Sequence, residues 1–173
     1  MRRLPVLQQT APEDSAAASR PPWQWCLVGA GLATTIWLPL AAVAAPLGAS
    51  LAAHWLRVVP AEVASGKVQL GPGQMALLAF LSALPLIVCF GVAAAAAGAL
   101  VARFGGKAGK REAGIAGVLA AFIVTSVAAV GGAGLSASGF AGAALVLAAV
   151  GGAAGYVGAG FGAARRPVLG SGR

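Results

Sequence analysis

Four long apolar stretches fill most of this 173-residue chain, and no Asp, Glu, Lys, Arg or His interrupts any of them. They run over about 23–45, 75–102, 113–132 and 139–164. An α-helix rises about 1.5 Å per residue, so about 20 residues cross a hydrocarbon layer of about 30 Å. Each stretch meets that length. Charged residues make up 9% of the chain, against about 25% in an ordinary soluble domain. A soluble fold must present a largely polar surface and could not hide four such segments. The sequence therefore predicts an all-α polytopic membrane protein with four transmembrane helices, arranged as one domain over residues 23–164. A Pro-, Ala- and Ser-rich tail at 1–22 reads as disordered, and 165–173 reads as a short basic tail.

The positions of Lys and Arg set the expected topology. Arg2, Arg3 and Arg20 precede the first span. Arg57 and Lys67 lie in the first loop, and Arg103, Lys107, Lys110 and Arg111 in the second. The third loop has none, and Arg165, Arg166 and Arg173 follow the last span. With both termini cytoplasmic, ten of the twelve fall inside, as the positive-inside rule requires. Arg103, Lys107, Lys110, Arg111, Arg165 and Arg166 are then expected to meet anionic lipid of the inner leaflet. That accounts for the net charge of +8 without nucleic acid, for which the chain shows no binding module. The preference for Ala, Gly and Arg suggests a bacterial protein of the cytoplasmic membrane. Ala42-Val43-Ala44 resembles a signal-peptide cleavage site. The apolar region before it exceeds the usual signal length of about 7–15 residues, so a retained span is expected.

The first loop, about 46–74, contains Leu51–Val59, in which Leu51, Trp55, Val58 and Val59 share one helical face and Ala53, His54 and Arg57 another. This predicts a short interfacial helix on the outer surface, with Trp55 and Arg57 at the interface. His54 has no cysteine nearby, and only Glu62 among the four acids would share its compartment. No metal, cofactor or catalytic site is expected. Phe104-Gly-Gly-Lys-Ala-Gly-Lys-Arg111 lacks the spacing of a phosphate loop. Thr34 and Thr35 are expected to bond the preceding turn of their own helix, and Glu112 to cap the third span. Cys26 and Cys89 lie at different depths and read as packing residues.

The strongest pattern is a small-residue stripe on the fourth span. Ala144, Ala148, Gly151, Gly155, Gly158 and Gly162 fall within about 80° of one another on a helical wheel. Small residues at such spacing let helix backbones approach closely. Gly91, Ala95, Gly98 and Ala102 repeat the arrangement on the second span, and Gly117 and Ala121 contribute on the third. Aligning Gly91 with Gly151 suggests a duplicated helical hairpin related by an axis along the membrane normal.

Ionisable residues within spans usually mark ion or proton paths, and enzymes need a nucleophile, base or metal. This chain supplies neither in its spans. The expected function is that of a non-catalytic subunit or scaffold, packing in a larger membrane complex or with copies of itself. The alternative is a small oligomeric transporter or channel for a neutral or apolar solute.

Overall fold

In a computed structural model of the chain, residues 21–105, 108–130 and 137–164 are described. They form five helices: α1 (Pro22–Leu56), α2 (Pro60–Ala64), α3 (Pro72–Phe104), α4 (Lys110–Val130) and α5 (Ala137–Ala164). No strand occurs among the described residues. All but α2 are long and apolar enough to cross a membrane. The chain is a four-span, all-α membrane protein.

The first span corrects the sequence reading. It does not stop at Ala45, and no separate interfacial helix occupies Leu51–Val59. Instead α1 runs unbroken for 35 residues, through Pro39 and Pro46. A helical proline removes one backbone bond and bends the helix, but the residues around it can restore the path. The turns after Pro46 carry Leu, Ala and Ser, and Ala44, Gly48 and Ala52 are buried at steps of four. Gly48 lies against the Ser82 backbone of α3. That contact holds the distal third of α1 in register. The helix ends where Arg57 takes a left-handed conformation, φ 53°, a common way to terminate a helix. The short helix of this linker is α2, opened by Pro60.

Glu112 acts at the start of α4 as its position suggests. Its Oε2 accepts the Gly109 N–H at 2.7 Å, the side-chain half of a capping box. Thr34 and Thr35 donate their hydroxyls to the carbonyls of Ala30 and Gly31, each at 2.9 Å.

Packing pairs fix the helix directions. Gly29 meets Val101 and Gly48 meets Ser82, so α1 and α3 are antiparallel along their whole length. Gly117 faces Gly151, and Gly155 faces Ala113, so α4 and α5 are antiparallel too. Gly158 meets Ala95 and Gly162 meets Ala99, so α3 and α5 are parallel. Around the bundle, α1 and α5 each pack on both α3 and α4. This arrangement corrects the expected symmetry. A two-fold along the membrane normal would make α1–α5 contact match α3–α4 contact. Yet α3 touches α4 while α1 and α5 meet at most glancingly. The two hairpins lie side by side in the same sense.

Candidate functional site

The core is built from small residues. Ala30, Ala33, Ala97, Ala120 and Ala121 surround Phe90 and Val124 in one buried cluster. Phe90 and Val101 are the largest side chains that are fully buried among the described residues. With so little side-chain volume between them, the backbones themselves come into contact. This is how helices gain dispersion energy in lipid, where no hydrophobic drive separates chain from solvent.

The glycine stripe of α5 lies inside this core. A Cβ built on Gly155 would sit 2.5 Å from the Ala113 carbonyl oxygen, and one on Gly151 would sit 2.6 Å from that of Gly117. Phe90 Cε1 closes the same space at 2.7 Å. Cβ atoms on Gly158 and Gly162 would strike the carbonyls of Ala95 and Ala99, and one on Gly98 the carbonyl of Gly155. Gly91 is looser, 3.3 Å from Val150 Cγ1. Ala102 is buried with Ala113 and Ala159. Ala121 belongs to the central cluster, and Ala148 packs partly buried against it. Of the expected packing residues, each therefore lies between helices of this one chain. Sequence reasoning missed the matching face of α1, Ala44, Gly48 and Ala52, although its spacing of four was visible in the sequence.

Arg103, Lys110 and Arg111 collect at one end of the bundle, with Arg57 and Lys67 at the other. Arg103 lies over the Phe104 ring at 5.5 Å, and Lys110 over the Tyr156 ring at 5.5 Å. Arg111 is exposed beside them. Lys107, Arg165 and Arg166 lie outside the described residues. Trp23, at the same end, is exposed, while Trp25 packs toward Gly105 between α3 and α4. At the opposite end Trp55 is 70% exposed and makes an edge contact with His54. Among the described residues no group of His, Cys, Asp or Glu is placed to hold a metal.

Gly117 and Gly151 touch, and about two and a half turns away, on the other side of α5, a Cβ on Gly142 would meet nothing within 4 Å. Toward the end opposite the basic cluster lies a half-open cavity of about 360 Å³. All four spans line it: Trp37 of α1, Ile87 of α3, Thr125 and Ala128 of α4, Gly142 and Val146 of α5. Its wall is almost wholly apolar and carries no charge. Two of the residues beside it carry polar groups that are turned away from the space. The Thr125 hydroxyl, 3% exposed, donates to the Ala121 carbonyl at 2.8 Å. The Trp37 indole Nε1–H is buried and has no hydrogen-bond partner, while its ring meets Phe90 edge-on at 6.3 Å. No sequence signal marked this cavity, because a void is set by how the helices diverge.

Compared with known proteins, the chain matches no family model, no curated protein and no solved structure.

Proposed function

We propose that this protein is a non-catalytic subunit of the bacterial cytoplasmic membrane that works by helix packing, in a larger complex or with copies of itself. One observation carries the reading. The stripe on α5 is occupied within the chain, but α1 keeps a second small-residue line free. Gly31, Thr35, Ala42, Ala45 and Ala49 are all exposed, with Leu38 between them. Their steps place them within about 80° of arc on one side of α1. A Cβ on Gly31 would meet nothing within 4 Å. An outward line of small residues suits close approach by a partner helix.

In this reading both termini face the cytoplasm, and Arg103, Lys110 and Arg111 meet the inner leaflet. Arg57 and Lys67 lie on the outer side. The absence of charge from the spans supports a packing role over ion transport. The runner-up reading, an oligomeric carrier of neutral solute, rests on the cavity.

The test is cross-linking in a Cys26→Ala, Cys89→Ala background, with Ala42→Cys as the reporter. Spontaneous disulfide-linked dimers in membranes identify self-association through α1. Replacing Gly31 and Ala45 with Leu is expected to abolish that dimer, or to release a stoichiometric partner on purification in mild detergent. If the double variant retains the same partners and size as the parent, the α1 line faces lipid and the proposal fails.

A further inference from the structure

We propose that the basic end of the bundle holds one anionic diacyl phospholipid, its phosphate shared by Arg103 and Lys110 and its two chains lying on either side of Phe161. The site rests on the reading that these cations meet the inner leaflet, and it is independent of the packing role of α1. Two hollows lie side by side on the outer surface there. The first, about 410 Å³, runs between α3 and α5 along Ala96, Ala99, Leu100 and Gly162, with Arg103 at its end. The second, about 360 Å³, crosses α5 along Tyr156, Val157 and Gly160, with Lys110 beside it. Phe161 lines both and is 70% exposed, so it forms the ridge between them.

Small residues make both hollows. Gly162 lies against the Ala99 backbone, so α3 and α5 touch and a furrow remains outside the contact, between Leu100 and Phe161. A Cβ on Gly160 would meet only the Lys110 side chain, Cε at 3.6 Å and Nζ at 3.8 Å, so Lys110 reaches from α4 to the second hollow. The two cations are held over rings, Arg103 over Phe104 and Lys110 over Tyr156. Among the described residues neither is paired with a carboxylate. Glu112 bonds the Gly109 N–H and lies about 160° round α4 from Lys110, so it does not neutralise the pair. Arg and Lys beside apolar furrows call for a ligand with an anionic head and hydrocarbon branches. Ala96 precedes Arg103 by about 10 Å of helix, so a chain in the furrow runs into the hydrocarbon from a phosphate held at Arg103. A zwitterionic head brings its own cation to the phosphate and gains less from this pair. One chain fills one hollow, whereas two chains fill both.

The experiment uses the full chain in mild detergent, titrated with phosphatidylglycerol or with phosphatidylcholine of the same chains and read by non-denaturing mass spectrometry. Binding in detergent does not depend on which way the chain faces, so it is decided separately from the topology. The first phosphatidylglycerol is expected to bind at least about fivefold more tightly than phosphatidylcholine, the effect of one cation at a lipid head. Arg103→Gln and Lys110→Gln are each expected to weaken phosphatidylglycerol by about fivefold and to leave phosphatidylcholine unchanged. Arg111 is exposed and lies about 100° round α4 from Lys110, so Arg111→Gln should change neither lipid. Ala96→Phe, at an exposed position of the furrow, should weaken both lipids. Lysophosphatidylglycerol, with one chain, should bind more weakly than the two-chain lipid. Thermal midpoints without lipid should match the parent in every variant, because all four positions are exposed. Equal affinity for phosphatidylglycerol and phosphatidylcholine, equal affinity for one and two chains, or an Arg111→Gln effect as large as that of Arg103→Gln overturns the proposal.

Discussion

At the scale of single residues, two kinds of glycine share this chain, and the same substitution should have opposite signs at each. Gly158 lies against the Ala95 backbone, so even a methyl group forces α3 and α5 apart. Overpacking of this sort costs about 1–3 kcal/mol, and Gly158→Ala should lower the thermal midpoint of the monodisperse protein. Gly155→Leu, against the Ala113 carbonyl, should do so more severely. Gly31 faces open space inside a helix, where Ala is favoured over Gly by about 1 kcal/mol. Gly31→Ala should therefore raise the midpoint or leave it unchanged. Equal effects at Gly31 and Gly158 would mean that the core is not built on backbone contact. The sequence offered 26 glycines, and periodicity singled out those of α5. It did not separate the occupied line on α1 from the open one, because both consist of Ala and Gly at helical steps. Which of two similar faces is covered depends on the neighbour, and that is tertiary information.

At the scale of elements, charge-free length located each span, but proline was misleading as a terminator. Pro46 with Gly48, Ser50 and His54 reads locally as a loop. A proline at a helix interior costs about 3 kcal/mol, an amount that tertiary packing along α3 can offset. The continuity of α1 is checked by a nitroxide scan over residues 47–56. Accessibility should oscillate with the period of a helix, low at Ala52 and high at Trp55. A flat profile or a break after Ala49 would restore the separate surface helix. At the start of α4, Glu112→Ala removes the acceptor for the Gly109 N–H. About 1 kcal/mol of local stability should be lost, seen as faster amide exchange at Gly109, with Glu112→Gln largely retaining protection. The α2 turn had no sequence signal beyond Pro60 and was not anticipated.

At the scale of the whole molecule, orientation is testable by labelling in intact cells. Gln69 and Arg111 are both exposed and occupy opposite ends of the bundle. Cysteine at position 69 should react with an impermeant reagent, and cysteine at position 111 only after permeabilisation. Ala108, three residues before Arg111 in the chain, is a poor reporter because it is 2% exposed. Reaction at position 111 from outside would invert the topology. The four helices also differ in reach. α1 has 35 residues and α3 has 33, against 21 in α4, so their lengths are about 52, 50 and 32 Å. A bilayer matched to α4 leaves the far end of the α1–α3 hairpin, with exposed Leu47, Leu51 and Trp55, above the hydrocarbon. Tilt or local thickening of the lipid relieves such mismatch. The surroundings of this end of the hairpin therefore depend on membrane thickness. Thick, ordered lipid should hold the far end of α1 and α3 in apolar surroundings, and thin lipid should leave it wet and free to seek cover.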